Sequence, residues 1–227
     1  MGERRKVANL PKFEVPRYIA IEGPIRVGKT SLADILCKRM HATRMRDVED
    51  NPFLEGFYTD QPGAAFKAQM YFLLHRFEQL AALDLASPGR QPIVSDYMFD
   101  KDKIFAYMNL GNTELKLYNA YYERFAEQLP VPDLVVYLQA KPETLRRRIN
   151  KKNVPMEHQI SDEYLEEVVK AYEHFFFHYK RSNLLVVDTS EIDFIDRNED
   201  LRELLRRLSQ PVQGTQYFLP LGSAGTD

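Results

Sequence analysis

Gly23-Pro24-Ile25-Arg26-Val27-Gly28-Lys29-Thr30 fits the pattern G-x-x-x-x-G-K-[ST], whose residue types suit one task, the holding of a polyphosphate. Glycines let the backbone turn tightly enough for several N–H groups to face one anion. A lysine at this spacing reaches the β- and γ-phosphates, and a hydroxyl directly after it holds Mg²⁺. Lys29 and Thr30 take those places, and Gly23, Arg26, Val27, Gly28 and Ser31 complete the set expected around a nucleotide. Arg26 stands where the loop could carry a third glycine, and its bulk is expected to point to solvent. The pattern implies that the chain binds a nucleoside triphosphate.

Such a loop works between a strand and a helix, and the flanks supply both. Tyr18-Ile19-Ala20-Ile21 reads as a short buried strand, and Ser31 to Met40 as a helix with Leu32, Ile35, Leu36 and Met40 on one face. Further apolar strands are expected at 92–96, 133–138 and 184–188, with a weaker candidate over 41–48. Between them the spacing predicts helices over 64–86, 101–109, 112–128, 141–151, 161–181 and 198–208. Strands and helices alternating in this way predict an α/β fold built on a doubly wound parallel sheet. Ligands of such sheets bind beyond the C-terminal strand ends, where the loop and Asp96 both fall. A carboxylate at Asp96 can coordinate Mg²⁺ with Thr30, take a proton from a hydroxyl, or merely cap a helix.

Composition narrows the partners. The 227 residues suffice for one sizeable core, and the net charge of −2 leaves no basic footprint for a nucleic acid polymer. The one cysteine, Cys37, permits no internal disulfide. Neither a membrane-spanning run nor a secretory signal is evident, so a cytoplasmic protein is expected. Residues 1–16 read as a polar lead-in, 17–208 as the domain, and 209–227 as an irregular tail whose Tyr217-Phe218-Leu219 could pack back.

Several further motifs occur in order. They are Asp50-Asn51-Pro52-Phe53-Leu54-Glu55-Gly56-Phe57-Tyr58, Gln69 to Arg76, Ser95-Asp96-Tyr97, Ile104-Phe105-Ala106 and Leu138-Gln139-Ala140 with Arg148-Ile149. Together over about 17–195 they resemble the deoxynucleoside kinase family, nearest its bacterial deoxyguanosine/deoxyadenosine kinase branch. The resemblance implies a phosphate-loop kinase fold with a small lid over about 147–158, and a homodimer. It implies that ATP with Mg²⁺ phosphorylates a deoxynucleoside, a purine one by branch, at its 5′-hydroxyl for nucleotide salvage. Gln69 then hydrogen-bonds the base, Phe105 stacks on it, Tyr58 and Glu157 grip the sugar 3′-hydroxyl, and Arg76 lies beside the base and the carboxylates. Arg148 and Lys152 belong to the cationic lid, Lys29 and Arg148 stabilise the phosphoryl charge, and Asp193-Phe194 lie near the adenine. Each residue alone also suits an ordinary structural place; the weight lies in their joint occurrence.

The pattern departs from the family at two further points. Aligned on Val48-Glu49-Asp50-Asn51-Pro52, the family's general-base glutamate falls on Arg46, which accepts no proton. On an extended strand Asp47 and Glu49 would face the other way. The lid's R-G-R becomes Lys152-Asn153-Val154, with fewer charges. Two functions are therefore expected: a deoxynucleoside kinase with Asp96 as Mg²⁺ partner or base, or a catalytically impaired relative that binds nucleotide and acts as a regulatory or scaffold dimer.

Overall fold

The structure, a computed structural model, describes residues 16–220 apart from 49, 86 and 88, with the side chains of 155 and 156 also left aside. The expected lead-in except residue 16, Glu49, and the tail beyond 220 lie outside the described residues. Six parallel strands form one sheet in the order β2-β3-β1-β4-β5-β6. They are β1 (Tyr18–Glu22), β2 (Thr43–Met45), β3 (Ile93–Ser95), β4 (Leu134–Gln139), β5 (Asn183–Asp188) and β6 (Thr215–Phe218). The central strands are apolar on both faces because helices cover both. The helices are α1 (Lys29–Met40), α2 (Leu54–Tyr58), α3 (Ala64–Ala81), α4 (Lys101–Asn109), α5 (Asn112–Ala126), α6 (Pro142–Lys152), α7 (Asp162–His178) and α8 (Asn198–Leu208). A 3-10 turn, Pro155–Gln159, joins α6 to α7.

Strand periodicity sorts the core into two layers. Tyr18, Ala20, Val135, Tyr137, Leu184 and Val186 meet Leu73, Ile104, Tyr118 and Tyr172. On the other face Ile19, Ile21, Val136, Leu138, Leu185 and Val187 meet Leu32, Leu36, Leu145, Ile149 and Leu204. Helix α7 borders both layers, with Tyr172 in one and Leu165 in the other. Among the described residues no helix is long and apolar enough to cross a membrane.

Local chemistry explains where the expected elements shift. Helix α3 stops at Ala81 rather than 86, and Asp84 then accepts from the Ser87 N–H and hydroxyl to make a turn. The weak strand candidate over 41–48 is real but short, since the chain leaves the sheet after Met45. The tail is not irregular throughout: Thr215–Phe218 is a sixth strand paired with β5, and Phe218 packs on the apolar layer of α1 and α8. Its partner strand is buried and apolar, which offers a template that a four-residue polar stretch hides in sequence. Tyr217 stays exposed on the opposite face. Phe218→Ala is expected to lower Tm by ~3–6 °C, since a half-buried aromatic contributes about 1–2 kcal/mol. An unchanged melting curve by calorimetry would show that β6 adds nothing to the core.

Candidate active site

Helix α1 begins directly at Lys29, and Gly28 before it holds φ 111°. A Cβ on Gly28 would lie 2.6 Å from Cζ of the buried Phe194, so both conformation and space demand glycine. The loop faces a cleft of about 1100 Å³ lined by Arg26, Gly28, Lys29, Thr30, Ser31, Arg148, Lys152 and Glu157, with Asp193 on its far wall. Lys29 Nζ donates to the carbonyls of Gly23 at 2.7 Å and Pro24 at 3.0 Å. Burial, helped by the charge of Lys101, pushes its amine down to about 8.

Arg148 anchors the far side of the cleft. Its guanidinium donates to the carbonyls of Val27, Thr189 and Ile192 and to the Thr189 hydroxyl, so it ties α6 to the loop and to the end of β5. Arg26 does not point to solvent. It holds φ 60° and grips Glu157 with two hydrogen bonds, Nε to Oε2 at 2.6 Å and Nη2 to Oε1 at 2.5 Å. Opposite charge offsets the bulk that the loop would otherwise have to turn outward.

Asp96, just past β3, lies between this cleft and a second pocket. Its Oδ2 accepts from the Thr30 hydroxyl at 2.9 Å and from Arg44 Nη2 at 2.6 Å, and its Oδ1 from the Asp47 N–H at 3.0 Å. Burial works to raise this carboxyl, but the hydrogen bond and charge of Arg44 outweigh it and hold the group below the usual carboxylate range. A hydroxyl and a carboxylate 2.9 Å apart are hard oxygen donors of the kind Mg²⁺ takes, with phosphate and water completing its shell.

The second pocket, of about 220 Å³, is lined by Asp47, Tyr58, Gln69, Phe72, Arg76, Lys101, Phe105 and Tyr164. Arg76, 4% exposed, donates to both oxygens of Asp47 at 2.8 and 3.0 Å and to Asp102 Oδ1, and lies 4.6 Å over the Phe72 ring. Lys101 Nζ donates to Asp47 Oδ2 at 2.7 Å. Burial opposes ionisation of Asp47, yet Arg76 and Lys101 together hold its carboxyl far below the usual range. Tyr118 donates to Asp102 Oδ2 at 2.9 Å, and Gln69 Nε2 donates to the Asp102 carbonyl at 3.0 Å. The second bond fixes the amide plane at the pocket wall.

The structure thus brings together most of the residues expected from sequence. Gly23 and Val27 do not line the cleft: Gly23 N–H bonds Glu22 and Val27 is core, so their carbonyls serve Lys29 and Arg148. Glu157 lies in the phosphate cleft rather than in the pocket with Tyr58. The two remain neighbours, since the charge of Glu157 adds to burial in raising the Tyr58 phenol. The largest correction concerns Arg46, which borders neither cavity, whereas Asp47 enters the pocket. Strand alternation does not apply there, because β2 ends at Met45 and the Asp47 N–H and carboxylate are pinned by Asp96, Arg76 and Lys101. Lys101, Asp102, Arg44 and Glu22 escaped sequence reasoning. Glu22, fully buried as the last residue of β1, accepts from the N–H groups of Gly23 and Met98 and from the Tyr172 hydroxyl. A charged residue ending an apolar strand was the available signal.

A parallel sheet with a phosphate loop after its first strand and a second pocket beside it defines a nucleotide-binding phosphotransferase scaffold. The family model for deoxynucleoside kinase matches residues 19–213, and the chain belongs to that family. It is 33% identical over 201 residues to the deoxyguanosine kinase of Bacillus subtilis (strain 168), covering 86% of this chain and 97% of that one. It is 28% identical over 212 residues to the deoxyadenosine kinase of Lactobacillus acidophilus, covering 87% and 97%. Among solved structures, the deoxyadenosine kinase from M. mycoides with bound dATP superposes with a TM-score of 0.69 at 26% identity, over 86% of this chain and all of that one.

The pH dependence of triphosphate binding follows from Lys29. A protonated amine there would hold phosphate, so affinity is expected to be complete below about pH 8 and to be lost as pH rises through that value. MgATP affinity by isothermal titration calorimetry is expected to hold over roughly pH 6 to 7 and fall ~tenfold by about pH 9. Lys29→Arg, which does not titrate in that range, is expected to flatten the profile. A level profile for the wild type would exclude Lys29 as the titrating group.

Proposed function

We propose that the chain transfers the γ-phosphoryl group of ATP–Mg²⁺ to the 5′-hydroxyl of a purine deoxynucleoside, a nucleotide salvage step yielding the 5′-monophosphate and ADP. The observation that carries this reading is the position of Asp96, bonded to Thr30 of the phosphate cleft and to Asp47 of the second pocket. Donor and acceptor compartments so joined suit an in-line transfer, in which positioning and charge stabilisation do most of the work. The purine preference draws its support from the relatives named deoxyguanosine and deoxyadenosine kinase.

Gln69 offers an amide to the base edge and Phe105 a ring face, while Tyr58 meets the sugar. Asp47 meets the 5′-hydroxyl and takes its proton as the new O–P bond forms and the P–O bond to ADP breaks. Its low pKa makes it a weak base, which a loose transition state tolerates. Lys29 leaves the loop carbonyls for the phosphates, and Arg148 keeps the lid helix over them. Thr30 and Asp96 would hold Mg²⁺, which when bound neutralises phosphate charge. Asp47 held between Arg76 and Lys101 supports this enzyme over a non-catalytic nucleotide-binding relative.

We also take the protein to act as a homodimer. Leu74 of α3 and Leu117 and Tyr121 of α5 are exposed apolar groups on adjoining helices, which suits a mate. Sedimentation equilibrium is expected to give twice the chain mass, and a monomer at micromolar concentration would exclude it.

Phosphotransfer from ATP–Mg²⁺ to each of the four deoxynucleosides tests the main reading. Turnover on a purine deoxynucleoside is expected, abolished by Lys29→Ala and Asp96→Asn. Asp47→Asn is expected to lower kcat by ~10²–10⁴-fold, while Arg46→Ala leaves turnover near the wild-type level. Nucleoside binding without turnover in the wild type would favour the non-catalytic relative, and loss of activity in Arg46→Ala alone would displace Asp47 from its role.

A further inference from the structure

Arg26 and Glu157 are 131 residues apart, yet they make a two-point ion pair across the phosphate cleft. Both side chains are largely covered, 28% and 17% exposed. Arg26 keeps φ 60°, a left-handed conformation that costs an arginine and would suit glycine. A strained residue in the phosphate loop is thus spent on a carboxylate of the segment between α6 and α7.

The donor and acceptor count shows what the pair leaves open. A carboxylate offers about four lone-pair sites and a guanidinium five N–H donors. Arg26 uses one site on each oxygen of Glu157, so each oxygen keeps a site for a hydroxyl. It uses Nε–H and one Nη2 proton, so three N–H groups stay available to the cleft where the phosphates bind. Glu157 in turn neighbours Tyr58, which lines the acceptor pocket.

We propose that Arg26 is a positioning residue that orients Glu157 for the acceptor's sugar hydroxyl and makes acceptor affinity depend on donor occupancy. The proposal rests on the kinase reading above and takes Glu157, which lies in the phosphate cleft near Tyr58, as a second ligand of the sugar. Donor phosphates fix the guanidinium from one side. Arg26 already orients the carboxylate, and donor phosphates on its free N–H groups hold the pair more firmly, so less ordering is left for the nucleoside to bring about. The coupling is reciprocal, so nucleoside tightens donor binding by the same factor.

Calorimetric titration of deoxyguanosine and deoxyadenosine, with and without adenylyl imidodiphosphate–Mg²⁺, measures this coupling. In the wild type the analogue is expected to tighten nucleoside binding ~10-fold. Arg26→Gly relieves the backbone and so folds. It is expected to abolish the tightening and to raise nucleoside KM more than it lowers kcat, while Arg26→Lys restores part of both. The double variant Arg26→Gly, Glu157→Gln is expected to be no weaker for nucleoside than Glu157→Gln alone, since the two act as one unit. Wild-type turnover with coupling and KM unchanged in Arg26→Gly would overturn this proposal and leave the kinase reading standing. Multiplying effects in the double variant would overturn it in the same way. A wild type that neither binds nor phosphorylates any deoxynucleoside would overturn the kinase reading, and the proposal with it.

Discussion

The buried guanidinium of Arg76 is the group on which the second pocket of this molecule depends. It lies on α3, almost wholly covered, and meets Asp47 beyond β2 and Asp102 on α4. A cation taken out of water is tolerated only against negative charge, and here two carboxylates supply it. Removing either would leave charge unmatched in the interior, at a cost of about 3–5 kcal/mol. The same contacts turn Asp47 into the pocket. Asp102 in turn receives Tyr118 through its carboxylate and Gln69 through its carbonyl, so one ion pair fixes both the carboxylate and the amide of the site.

A second set of charges organises the donor side by a different device. The phosphate loop contributes mostly backbone, and its lysine is held against two of its own carbonyls. Arg148 donates to three carbonyls and a hydroxyl, so its role begins with joining α6, the loop and the end of β5. Asp96 connects the two sides through Thr30 and Asp47, and Arg44, shared with Asp34, keeps its carboxylate ionised. The cleft is thus mostly cationic, and the second pocket is charge-balanced.

Arg46 and Asp47 show how a sequence argument loses its footing at a strand end. Alternation of side chains holds inside a ladder, and it turned Asp47 away from Arg46's side on the assumption that β2 runs on to residue 48. The ladder stops at Met45, and beyond it hydrogen bonds to Asp96 decide which way the backbone turns. Arg26 was misplaced for a related reason. Bulk in a phosphate loop argues for solvent only while the partner, Glu157 on a distant segment, is out of view.

The sequence by itself determined the α/β class, the phosphate loop with its strand and helix, and the family membership. Each depends on short-range periodicity or on residues at fixed spacing, which the linear chain displays directly. Tertiary structure alone decided that Asp47 faces the second pocket, that Lys101 and Asp102 belong to its charge network, that β6 extends the sheet, and that Arg26 holds Glu157. Those outcomes depend on charges and apolar faces brought together from distant segments. Burial strengthens their attraction, and no local pattern encodes which of them will meet.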